Sequence, residues 1–191
     1  MSGYGEYAWG KRNCQVYGGS YSGWAVGGGR DGQSLACGSD YPDNVQSWMV
    51  YGPFSLADAT AADLSFKVRV YAEAEHDWFF WGASTDGNSF RGPKAWGDSQ
   101  GWREEGLDLT DAPGLGDLTG RPRVWIALIF SSNSSTHFAE GVHVDNIVLR
   151  KYVPGTGATA AEPSARQPVA GPDTLIVVPE KALRHALTSP C

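Results

Sequence analysis

The chain has 191 residues and a formal net charge of −6, with a pI near 5.1, so it lacks the basic surface that neutralises nucleic-acid phosphates or anionic lipid. With 41% hydrophobic and 19% charged residues it can fill one core, which at this size means one domain and a tail. Its 25 glycines, 11 prolines, 8 tryptophans and 8 tyrosines argue against a helical protein and for short strands joined by turns.

The opening residues, MSGYGEYAWGKRN, carry no apolar signal-peptide core, and no apolar run reaches the roughly 18 residues that span a bilayer. Residues 1 to 45 are rich in Gly, Tyr, Ser and Trp, with short strands expected at Cys14–Tyr17, Gly23–Val26 and Ser34–Cys37. Gly27-Gly28-Gly29 before Arg30-Asp31-Gly32 reads as a turn cluster, since a phosphate-cradling loop needs a strand before it and a helix after it. From Ser47, SWMVYGPFSL gives a strand broken at Gly52-Pro53; Pro53 cannot donate to a ladder, so it marks an edge or a strand end.

Residues 62 to 72, ADLSFKVRVYA, alternate most clearly, with Leu64, Phe66, Val68 and Val70 toward a core and Asp63, Ser65, Lys67, Arg69 and Tyr71 toward water. Next, HDWFFWGAS at 76 to 84 is apolar on both faces, reads as an interior strand, and ends at the hairpin signal Asp86-Gly87. GWREEGLDL at 101 to 109 is followed by a long Pro/Gly connection to Gly120, of the kind a Greek key needs. PRVWIALIFS at 122 to 131 is apolar on both faces and reads as a central strand. Trp48, Trp78, Trp81 and Trp125, inside strands, are assigned to the core.

The closing strand is EGVHVDNIVL, residues 140 to 149. Val142 and Val144 alternate with His143 and Asp145, then Ile147 and Leu149 resume the apolar face one residue out of step. That slip predicts a bulge at Asp145–Asn146, and a bulge re-aims side chains, which makes Asp145 the first candidate site.

About eight antiparallel strands with regular turns give an all-β antiparallel sandwich of the jelly-roll kind over residues 1–152, because one sheet would leave a face of its most apolar strands in water. Residues 153–172, VPGTGATAAEPSARQPVAGP, read as a flexible Pro/Ala/Gly linker. Residues 173–191 read as a short tail or the start of a truncated module, with TLIVV as a strand and Pro179–Leu187 as a helix. Of Cys14, Cys37 and Cys191, the first two lie in one loop-rich region; a Cys14–Cys37 disulfide with Cys191 unpaired is favoured, and two buried free thiols in a reducing cytosol stay open.

Neither a G-x-S-x-G elbow nor an H-E-x-x-H helix occurs. Glu104, Glu105 and Asp108 lie close in sequence, but Glu105 points opposite to Glu104 and no partner acid stands at glycosidase separation. The chain therefore reads as noncatalytic. His143 and Asp145 share a strand face and invite a transition metal with His76, but a satisfied or exposed histidine is the better reading. Loop aromatics can stack on the apolar faces of sugars, and Trp24, Tyr41 and Trp96 are the rings selected for that role.

Four segments in fixed order, SWMVYGPFSLADATAADLSF, WGASTDGNSF, GWREEGLDLT and EGVHVDNIVL, resemble the jelly-roll modules related to MAM domains, which accompany secreted bacterial peptidases of the immune inhibitor A type and other surface proteins. The likeness spans roughly residues 5 to 151. It implies export, a noncatalytic accessory or adhesive role, and a structural cation; with the loop aromatics the expected partners are glycans or cell-surface proteins, and the alternative is a purely structural spacer or interaction domain with no small ligand. Carried onto this chain, the cation falls to Asp145 and Glu6, with Asn146 where many relatives have a second acid. Loops rich in Gly, Asp and Ser suit Ca²⁺, which takes 6 to 8 oxygen ligands, and Asp31 joins Asp145 and Glu6 as the third expected ligand. A monomer without membrane insertion or nucleic-acid partner completes the expectation.

Overall fold

The apolar alternation builds two antiparallel sheets packed face to face. The computed structural model describes residues 5–135, 139–155 and 174–177. Its strands are β1 (Ala8–Arg12), β2 (Ser22–Gly28), β3 (Gln46–Phe54), β4 (Ala61–Ala72), β5 (Trp78–Ser84), β6 (Lys94–Ala95), β7 (Gly97–Asp98), β8 (Arg103–Asp108), β9 (Val124–Ser131), β10 (Gly141–Tyr152) and β11 (Thr174–Val177). A single helical turn, α1 (Gly29–Gly32), follows β2. The larger sheet runs β1-β2-β10-β4-β7, with β8 also on β4 and β11 on β10, and the smaller runs β3-β9-β5-β6. Among the described residues no helix is long and apolar enough to cross a membrane.

Inner faces fall where the periodicity put them. Leu64, Phe66, Val68 and Val70 of β4 are buried against Phe79 and Trp81 of β5 and Val124, Ile126, Leu128 and Phe130 of β9. Four rings tie the sheets together: Phe66 meets Phe79 and Trp81 edge-on at 6.0 and 5.9 Å, and Trp9 meets Phe79 at 6.2 Å. Such pairs add to the area each ring buries. β9 lies between β3 and β5, as its two apolar faces require, and β3 is an edge, where Pro53 leaves no ladder donor missing.

The register of β10 against β4 slips between Asp145 and Val148, and Asn146 takes a positive φ of 48°. This is the bulge the out-of-step apolar pattern called for. The strands expected at Cys14–Tyr17 and Ser34–Cys37 are loops instead. Their backbone is held by other means: Cys14 and Cys37 are disulfide-bonded, and the Arg12 guanidinium donates to the carbonyls of Gly27, Gly32 and Leu35. A side chain that satisfies three carbonyls replaces part of a ladder. The turn cluster after β2 closes as α1. Of the tail, Thr174–Val177 pairs antiparallel with Val148–Lys151; the expected helix at 179–187 and Cys191 lie outside the described residues.

Candidate functional site

Asp145 stands at the bulge, on the outer face of the larger sheet. Its Oδ2 accepts the N–H groups of Tyr17 (3.0 Å) and Gly18 (3.1 Å), and its Oδ1 accepts the N–H of Asn146 (2.8 Å). The bulge thus aims the carboxylate at the loop 13–21, which the Cys14–Cys37 disulfide ties. Glu6 and Asp31 are together elsewhere: Asp31 Oδ2 accepts the Glu6 N–H at 2.7 Å, and Arg30 lies 3.8 and 3.7 Å from their carboxylates. They flank the Gly28 end of β2, whereas Asp145 follows Val144, the partner of Gly23. Five strand residues at about 3.3 Å each, roughly 16 Å, separate those two ends of β2.

The three expected ligands therefore make no single donor set, and the implied cation does not fit them. Among the described residues no group of three or more His, Cys, Asp or Glu side chains is placed to hold a metal ion. What the geometry gives Asp145 is an anchoring role. Asp145→Ala is expected to cost about 1.5 to 3 kcal/mol of stability, the range for a lost hydrogen bond to a charged acceptor. Urea denaturation in Ca²⁺ and in chelator checks this: the loss is to be equal in both, and a loss confined to Ca²⁺ would restore the ligand role.

Beside Asp145 the outer face is dry. His143 is only 1% exposed, stacks on the fully buried Trp24 at 5.5 Å and 8°, and its Nε2 has no hydrogen-bond partner among the described residues. The Trp24 indole donates to the Glu140 carbonyl at 2.6 Å, and Gln15 bridges Glu140 and Arg69 above the ring pair. Burial and then the Arg69 charge push the His143 pKa from 6.5 down to about 3. The unfolded chain accordingly binds the proton between those values and the folded one does not. Stability contributed by neutral His143 is full above pH 6.5, declines as pH falls, and is gone below about pH 3. The loss is expected to reach a few kcal/mol, and His143→Phe, which keeps a ring on Trp24, is to flatten that part of a stability–pH curve; identical slopes would contradict it.

Of the three rings selected for sugar stacking, Trp24 and Tyr41 are fully buried and offer no face to a ligand. Trp24 covers His143, and Tyr41 donates to the buried Asp77. Trp96 is 45% exposed, and it has company the sequence did not reveal. The outer face of the smaller sheet carries Trp48, Ile129, Phe80 and Lys94 in one cross-strand row over β3, β9, β5 and β6. Gln46, Ser131 and Trp78 form the next row, Gln46 donating to Ser131 at 3.3 Å. Lys94 Nζ lies 5.9 Å from the Trp78 ring and 5.8 Å from the Trp96 ring. Phe90 meets Trp48 edge-on at 6.2 Å, and Trp48 is 41% exposed.

Trp81 is in the core, as assigned; Trp48, Trp78 and Trp125 face outward instead. The clue in sequence was parity. Trp48 shares its face with Gln46 and Val50, while Met49 points inward with Leu128 and Trp81. Exposed Tyr17 and Tyr21 sit on the other sheet's loop under Lys67 and Lys11, at 5.1 and 4.2 Å. Glu104 pairs with Lys67, Glu105 with Arg103 and Asp108 with Thr110, so each of these acids has a local partner. No protein-family model matches the chain, and no curated protein matches it.

Proposed function

We propose that this protein is a noncatalytic glycan-binding module of the extracellular or cell-surface environment, and that its binding surface is the outer face of the four-stranded sheet. One observation carries the reading: Trp48, Phe80, Trp78 and Trp96 share one face with the exposed side-chain amide of Gln46. Partly exposed indoles cover the apolar face of a pyranose, and an amide and an ammonium beside them take its hydroxyl groups. A rigid sheet holds the rings at fixed spacing, so little ordering entropy is lost on binding. The Cys14–Cys37 disulfide supports an oxidising compartment.

Tryptophan fluorescence titrations with soluble polysaccharides test this. Trp48→Ala and Trp96→Ala are each expected to weaken binding about tenfold, about 1.4 kcal/mol, with melting temperature nearly unchanged because neither ring is in the core. Binding that survives both substitutions would place the ligand elsewhere and leave this face as ordinary surface.

A further inference from the structure

Resting on that reading of the face, we propose that its ligand is an acidic polysaccharide, bearing uronate or sulfate groups, and that Lys94 selects it. The chain holds 21 Asp and Glu against 15 Lys and Arg. Yet the outward positions of this sheet, Gln46, Trp48 and Val50 on β3, the odd-numbered residues of β9, the even-numbered ones of β5 and Lys94 on β6, include no acid. Their single charge is the Lys94 ammonium.

Two other lysines have acids: Lys67 Nζ is 2.7 Å from Glu104, and Lys151 Nζ is 2.5 Å from Asp58. Lys94 rests on the rings of Trp78 and Trp96 and forms no ion pair among the described residues. Indole faces attract an ammonium without neutralising it, and they displace water from its flanks, which strengthens its pull on an anion. Arg123 repeats the arrangement at the far corner, 5.1 Å over Trp125. The acid at that corner is Asp86, in the turn whose Gly87 approaches Trp125; N–H groups of Ser89 and Asn88 hold its carboxylate and its pKa goes down to about 2. Lys94, unlike Arg123, stands in the outward row with Trp48 and Phe80. With a net charge of −6 repelling anions at long range, selection comes from contact: a sugar ring on Trp96 or Trp48 brings its carboxylate or sulfate to Lys94.

The test uses the intact chain and two matched pairs of polymers that differ in charge alone: polygalacturonate against its full methyl ester, and dextran sulfate against dextran. At least one charged member is expected to bind about tenfold tighter than its neutral partner, and which pair shows it separates uronate from sulfate. Lys94→Gln is to bring that ratio near one, and Lys94→Arg is to keep it. Equal affinities within both pairs, or a ratio that Lys94→Gln leaves intact, overturns the acidic assignment alone. Absence of binding to all four polymers overturns the glycan reading with it.

Discussion

Asp77→Ala is expected to remove about 3 to 6 kcal/mol of folding free energy, because two hydrogen bonds to a buried carboxylate, each worth about 1.5 to 3 kcal/mol, go with it. Asp77 is fully buried, its Oδ2 accepts the Tyr41 hydroxyl at 2.5 Å, and its Oδ1 accepts the Asn133 N–H at 2.7 Å. The Tyr41 hydroxyl also accepts the Glu73 N–H at 2.9 Å, so one carboxylate organises three chain segments at one end of the sandwich. Burial and the Asp77 hydrogen bond both raise the Tyr41 pKa, which keeps that hydroxyl a donor throughout the usable pH range. Removing the carboxylate takes this acceptor from both the Asn133 N–H and the tyrosine O–H, and the desolvation cost then counts against the fold. Tyr41→Phe should cost less, about 1 to 3 kcal/mol, since Asp77 keeps the Asn133 N–H. Urea denaturation ranks the two, and a reversed ranking would show that Asp77 is not the organising group.

Loss of the Cys14–Cys37 disulfide is the second large effect. It closes a sequence separation of 23 residues, for which loop closure predicts about 3 kcal/mol, or roughly 6 to 12 °C in melting temperature for a domain of this size. The bond also holds the loop whose Tyr17 and Gly18 N–H groups meet Asp145 and whose Gln15 bridges Arg69 and Glu140. Reduction should therefore expose Trp24 and His143 and shift the stability–pH curve together with the melting point. Cys14→Ser with Cys37→Ser, followed by calorimetry, checks this. Polysaccharide binding should persist in the folded fraction, since the aromatic face belongs to the other sheet. Joint loss of binding and loop order would mean that the two sheets do not act separately.

What could be read from sequence follows the physics of alternation. The inner face of β4, the central place of β9, the edge place of β3 and the bulge at Asp145 each leave a local mark, because period-two burial and an unpaired proline act on neighbouring residues. Where both faces of a strand are apolar the mark disappears. Trp48 and Trp81 look alike in sequence, and only the pairing partners set one outward and the other inward. Trp24 misleads in the opposite way: it lies in a short Gly-rich strand, yet it is buried because a disulfide-tied loop is laid over the outer face of its sheet. Carboxylate grouping depends on chain separation by design of the fold, so nothing local revealed that Glu6 and Asp31 meet while Asp145 binds the loop 13–21.

The central claim is that the outer face of the four-stranded sheet binds glycans, and the most direct measurement is a polysaccharide titration of the intact chain beside its Trp48→Ala Trp96→Ala double variant. The account predicts saturable binding by the native chain and at least a tenfold loss in the double variant, about 1.4 kcal/mol or more, with both proteins melting within a few degrees of each other. Equal binding by the two proteins, or none by the native chain across neutral and acidic polymers, would contradict it.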